Sequence, residues 1–109
     1  YAGSDTVDTV AWYYTNSNGQ AHDVCGKQAN GYGLCDMSGN VWEWVWDWKG
    51  SYSSSPTVDP QGPTSGSYRV LRGGCWYRYA QYVRVSFRNN DVPTDTIYYL
   101  GFRLARYSP

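Results

Sequence analysis

The sequence predicts one loop-rich domain of antiparallel β structure, and three observations carry that reading. Tryptophan recurs at every second position of "NVWEWVWDW", residues 40 to 48, which is the period of a strand; in a helix the same spacing would scatter the indoles. Two later stretches, "YVRVSFR" and "LGFRLARY", also alternate large apolar with other residues. Between these segments lie runs rich in Gly, Asn, Ser and Pro, with no long amphipathic helix and no internal repeat.

Each element follows in order. "DTVAWYY" is a short apolar segment closed by the turn formers "TNSNGQ", and "GKQANGYG" is a second loop. "LCDMSGN" leads into the tryptophan strand, with Gly39 and Asn40 suited to a turn that needs positive φ. In that strand Trp42, Trp44, Trp46 and Trp48 share one face, and Val41, Glu43, Val45 and Asp47 share the other. An indole can hide roughly 150–250 Å², so this face is expected to anchor the core. The rival is an exposed aromatic platform for sugars or bases. "KGSYSSSPTVDPQGPTSGS" has no periodicity and predicts a long surface loop, or two loops around a short bridge. "YRVLRGG" reads as a strand. The two alternating stretches read as half-buried antiparallel strands, with Val83, Val85 and Phe87 inward in the first and Leu100, Phe102 and Leu104 in the second.

Composition bounds function. At 109 residues the chain allows one domain, residues 1–109, near the size where core burial only just offsets chain entropy. Nine basic and nine acidic side chains cancel, which leaves no electrostatic footprint for nucleic acid or an anionic membrane. No apolar run approaches membrane-spanning length, and "YAGSDTVD" does not read as a signal peptide. With twelve Tyr and scarce Lys, the surface is expected to be rich in Tyr, Ser, Asn and Arg, types that binding surfaces favour. Cys25, Cys35 and Cys75 form no CxxC zinc pattern, and His22 is the only histidine. One disulfide plus a free thiol and three buried thiols are both open; Cys25 with Cys35 closes the shortest loop, but spacing does not choose the pair. His22 beside Asp23 reads as a solvated side chain and not as a base, and "GYG" and "RGG" lack the strand-loop-helix setting of a phosphate loop.

Four separated motifs then line up. "GYGLCDMSGNVWEWVWDW", "DPQGP", "YRVLRGGCW" and "LGFRLAR", in this order, resemble the formylglycine-generating enzyme and sulfatase-modifying-factor domain, and "YAGSDTVDTVAWYY" extends the resemblance over nearly the whole chain. The resemblance implies an α+β, loop-rich C-type lectin-like fold. The family's domain is longer, so the chain reads as its C-terminal half or a shortened version.

Catalysis does not carry over with the fold. The family's oxidases hold copper with two cysteines a few residues beyond the Gly-Gly pair, as a soft Cu(I) centre needs. Counting from Gly73 and Gly74, residues such as Arg78 and Val83 hold those places, and Cys75 stands where "GGSW" has Ser. The iron-dependent relatives that form carbon-sulfur bonds use a set of histidines, which His22 alone does not supply. The expectation is therefore no enzyme and no catalytic cofactor. The resemblance does imply a structural calcium held by Asp36, Gly39, Val41 and Glu43, two carboxylates and two backbone carbonyls around a tight turn, a sensible oxygen set for a hard cation. The plain alternative has Asp36 and Glu43 accepting hydrogen bonds from the turn's N–H groups.

The stretch between "RGGCW" and "LGFRLAR" bears on function. Noncatalytic relatives include the variable proteins of diversity-generating retroelements, in phages, bacteria and archaeal viruses, in which adenines of mostly Asn codons are randomised in this interval. An AAC codon altered at its first two bases never encodes Lys, Glu, Met, Gln or Trp, and between Tyr77 and Tyr99 only Gln81 falls outside the permitted set. "NND", "YRY" and "IYY" look like former Asn runs, and Cys75 is one base from a Ser codon. The resemblance thus implies a variable segment over about residues 75–99, with a ligand surface of Tyr77, Arg78, Tyr79, Tyr82, Phe87, Asn89, Asn90, Asp91, Thr94, Asp95, Thr96, Tyr98 and Tyr99. Phe87 is also expected inward by its alternation. The expected partner is a protein or cell-surface ligand, and the expected place a cell surface or virion. Alternatives are a formylglycine-generating or related oxidase domain, and a structural or interaction domain with a fixed surface, in which the aromatics pack against the rest of a longer domain.

Overall fold

The computed structural model describes residues 1–55 and 58–106. Six short elements follow one another: helix α1 (Val7–Val10), strands β1 (Trp42–Trp48) and β2 (Arg69–Arg72), a 3-10 turn (Ala80–Val83), and strands β3 (Asn89–Asp91) and β4 (Leu100–Gly101). The four strands build one sheet in the order β3-β2-β1-β4. β1 runs antiparallel to β2 and β2 to β3, while β4 joins β1 in parallel through Trp42↔Leu100 and Glu43↔Gly101. Among the described residues no helix is long and apolar enough to cross a membrane.

The tryptophan strand forms over Trp42–Trp48, with Val41 left outside it, and its face is not uniform. Trp42 is 1% exposed and Trp46 is 82% exposed, with Trp44 and Trp48 between them. The cause is a break in register: Trp44 pairs with Leu71 and Trp48 with Arg69, so β1 carries extra residues between the two pairs and its far half is re-aimed. There the Arg69 guanidinium lies 4.5 Å from the Trp46 ring centre and 3.6 Å from that of Trp48, and it donates to the Trp46 carbonyl. The expectation of four core indoles is thus corrected: one is core, one packs beside it, and two flank a cation.

Two further expectations fail for physical reasons. "YVRVSFR" is not a strand. Tyr82 N–H donates to the Tyr79 carbonyl and Phe87 N–H to that of Arg84, which coils the chain into successive turns. Val83 is fully buried because it drops onto the bare backbone of Gly74, where an added Cβ would meet Val83 Cγ1 at 2.4 Å; Val85 is left 62% exposed. In "LGFRLARY" only Leu100 and Gly101 pair, in parallel, while Phe102 and Leu104 are 74% and 90% exposed; Tyr107 lies outside the described residues.

Among the described residues two small apolar clusters gather much of the core. Ala11, Tyr13 and Val83 make one; Trp42, Leu71 and Cys75 make the other, with Trp44, Tyr77, Phe87, Tyr99 and Leu100 packed around it. A polar hub stands behind β1. Asn40 (φ +66°) donates its N–H to the Trp12 carbonyl, accepts from Trp76 N–H, and exchanges both side-chain amide bonds with the main chain of His22 at 2.9 Å. Beside it Gly39 (φ +81°) approaches Trp12 so closely that a Cβ would lie 2.4 Å from the carbonyl oxygen. His22 is not a solvated side chain: it is half-buried, stacked on Trp12 at 3.7 Å, with Nε2 2.7 Å from the Ser17 carbonyl.

Candidate functional site

A cleft of about 300 Å³ lies beside the start of β1, and Asp36, Gly39, Val41 and Glu43 all line it. Cys25 and Cys35 are joined by a disulfide at its rim, which resolves the pairing that spacing left open. Asp36 is 7% exposed in a positive-φ turn; its Oδ2 accepts the Cys25 N–H at 2.7 Å, while its Oδ1 is buried with no hydrogen-bond partner. A buried carboxylate oxygen without a donor is costly, so this atom suits a cation. Glu43 is engaged otherwise. Arg103 Nε donates to Glu43 Oε2 at 2.6 Å and Nη2 to Oε1, an ion pair that holds the guanidinium above its usual pKa. Arg103 also donates to the carbonyls of Cys35 and Asp36, at 3.1 and 3.2 Å. Among the described residues no group of three or more His, Cys, Asp or Glu side chains could hold a metal, so a cation here would need main-chain oxygens beside the two carboxylates.

The second region is the segment from Tyr77 to Tyr99. None of its thirteen candidate ligand residues is buried; Tyr79, Thr94, Thr96 and Tyr98 are exposed and the others lie between. Ring contacts connect six of them. Tyr77 meets Tyr99 edge-on at 4.8 Å, Tyr99 meets Tyr98 at 5.1 Å, Arg78 lies over Tyr77 and Tyr82, and Tyr82 meets Phe87 at 5.0 Å. Phe87 also packs against Trp42 at 6.0 Å, so it serves as support and surface together. Asn89, Asn90 and Asp91 form the edge strand β3, and the hydrogen bond between the Asp91 and Asp95 side chains raises the Asp95 carboxyl. Tyr79 stands apart, against Tyr14 at 4.7 Å. Thr94 and Thr96 are exposed.

The base of this face is dry enough to shift ionisation. Burial and a hydrogen bond with Tyr99 push the Tyr77 phenol up to about 12, and burial pushes the Cys75 thiol up to about 11. Cys75, free and fully buried, is therefore a neutral, inert thiol at ordinary pH.

Sequence reasoning missed three residues. Trp76 stands 5.2 Å from Tyr77 and 6.0 Å from Tyr98, and with Tyr14 it lines a cleft of about 520 Å³ at the rim of the face. Codon logic excluded Trp, although "GGCW" directly precedes the segment. Arg103 was hidden because its alternation assigned it to the solvent side of a strand.

Comparison with known proteins bears on the family and the fold. The model of the sulfatase-modifying factor enzyme 1-like domain matches residues 1–108. Treponema denticola variable protein 1 is similar over 92% of this chain and 38% of its own, with 43% identity and a TM-score of 0.86. PvdO from Pseudomonas aeruginosa is similar over 94% of this chain and 42% of its own, with 26% identity and a TM-score of 0.78. The formylglycine-generating enzyme of Streptomyces coelicolor is 48% identical over 81 residues, 70% of this chain and 26% of that protein. The fold is thus the C-type lectin-like fold of this group, and the chain spans only about a quarter of the Streptomyces relative.

Proposed function

Since the chain belongs to the sulfatase-modifying factor enzyme 1-like family, we propose that it is a noncatalytic binding module of that family, whose segment from Tyr77 to Tyr99 is diversified to recognise varied protein or cell-surface targets. The observation that carries this reading is the linked, unburied set of Tyr, Phe and Arg side chains, Tyr77, Phe87 and Tyr99 among them packed on Trp42, Leu71 and Cys75, with unburied Asn89, Asn90 and Asp91 on the neighbouring edge strand. Tyrosine offers wide contact area at low entropy cost, and Asn, Thr and Arg add adaptable hydrogen bonds. A face that changes from copy to copy needs a base that does not. The likeness to Treponema denticola variable protein 1 supports the role. So does the thiol inventory: Cys25 and Cys35 are bonded to each other and Cys75 is buried alone, so no thiolate pair is available for copper. A place on a cell surface or virion goes with such a role.

Two experiments test it. Chains in which the candidate positions are redrawn from adenine-mutagenised Asn codons are expected to remain folded, with melting temperatures within several degrees of one another; widespread unfolding would mean the segment is core. A copper-binding assay coupled to oxidation of a cysteine-containing substrate peptide is expected to give no turnover, and turnover would overturn the reading in favour of an oxidase.

We also propose that the cleft at the start of β1 takes a structural calcium through Asp36, Glu43 and the carbonyls of Gly39 and Val41. The donorless Oδ1 of Asp36 supports this. Calcium would neutralise the two carboxylates and brace the turn that leads into β1. Chelation should lower the melting temperature and added calcium restore it; an unmoved melting temperature refutes the site.

A further inference from the structure

We infer that Arg103 is a built-in competitor for the cation of the β1 cleft and sets how tightly the cleft takes calcium. The inference rests on the calcium reading given above and adds to it a residue of this chain that opposes the ion.

The Arg103 guanidinium does most of what a divalent cation would do there. It holds both oxygens of Glu43 from β1, and the carbonyls of Cys35 and Asp36 from the loop across the cleft. A planar guanidinium suits that carboxylate because two parallel N–H bonds engage both oxygens together. Calcium wants six to eight oxygens with carboxylates among them, and Glu43 is one of the two carboxylates in reach. For the ion to use Glu43, a charge-assisted fork has to open, and the incoming charge is of the same sign as the one it displaces. Asp36 Oδ1 is the oxygen that Arg103 leaves without a donor, so the cleft keeps one pole for the ion while Arg103 holds the other. Arg103 is also the anchor of its own segment: its neighbours Phe102 and Leu104 point little surface inward, being 74% and 90% exposed. Calcium entry and release of residues 102–104 from the cleft wall are therefore coupled, each opposing the other's rival.

The test is direct calcium titration by calorimetry, with terbium luminescence sensitised by tryptophan as a second probe, on the natural chain, Arg103→Lys and Arg103→Ala, each checked as folded by circular dichroism. Arg103→Ala is expected to bind calcium about tenfold tighter than the natural chain, within the range of ordinary coupling energies. Arg103→Lys, which keeps a charge but loses the fork, should fall between them, and it decides the matter alone if Arg103→Ala does not fold. Asp36→Ala, which removes the side-chain oxygens, should abolish binding in every background. Equal or weaker calcium affinity in the Arg103 variants overturns the competition and leaves the calcium reading standing. No binding in any variant at millimolar calcium overturns both.

Discussion

The turn at Gly39–Asn40 and the segment from Tyr77 to Tyr99 meet the same end of β1, where Trp42 N–H donates to the Tyr99 carbonyl, yet they are held by different forces. The turn is a closed account of main-chain groups. Asn40 bonds Trp12, His22 and Trp76, Gly39 N–H reaches the Gly73 carbonyl, and Ser38 and Asn40 are buried. The segment is joined by rings packed edge to face with centres 4.8 to 5.1 Å apart and by guanidinium over phenol, contacts that leave no buried donor or acceptor stranded when one partner changes. The difference teaches where change is tolerated. Directional polar bonds in a dry place fail when one partner is lost, whereas half-exposed rings can be exchanged for others of similar size.

Substitutions can break that contrast. The largest effect is expected at Gly39: Gly39→Ala puts a Cβ 2.4 Å from the Trp12 carbonyl oxygen at φ +81°, and should cost about 4 kcal/mol in denaturant unfolding. A near-neutral result would mean that the turn yields and is no rigid support. Asn40→Ala strands the His22 N–H and carbonyl and is expected to cost about 2 kcal/mol or more by the same measurement.

Alkaline titration sharpens the contrast at the base of the face. Cys75 rises from 9.0 to about 11 and Tyr77 from 10.0 to about 12 on folding, so both contribute stability that is complete below pH 9 and is lost as pH climbs through 11 and 12. Unfolding free energy should therefore fall over that window, and Tyr77→Phe combined with Cys75→Ala should flatten the fall; an unchanged slope in the double variant would move the cause elsewhere. Smallest of all, Thr96→Ala and Tyr98→Ala should change stability by no more than about 0.5 kcal/mol, since both side chains are exposed. A loss of several times that amount at Tyr98 would make it part of the core.

How much of this was legible in the sequence depends on how local the cause was. The period of two in "NVWEWVWDW" announces β1 to within a residue or two at its start, because the signal lies within the strand. The change of aim beyond Trp44 does not show, because it comes from where Arg69 pairs. The alternation of Val and Arg in "YVRVSFR" fits a strand as well as the turns actually formed, and only the missing side chain of Gly74 decides that Val83 fills a hole there. In the cleft, Asp36 and Glu43 are carried by one motif. Their partner Arg103 lies sixty residues beyond Glu43, and nothing in its surroundings marks it as facing inward.

A changing face on a fixed base is tested most directly by sequencing the source locus. A near-identical template repeat beside a reverse transcriptase gene is predicted, differing from this gene only opposite adenines and within the codons for residues 75–99. A lone gene without such a repeat, invariant at Tyr77 to Tyr99 among sibling isolates, would contradict it.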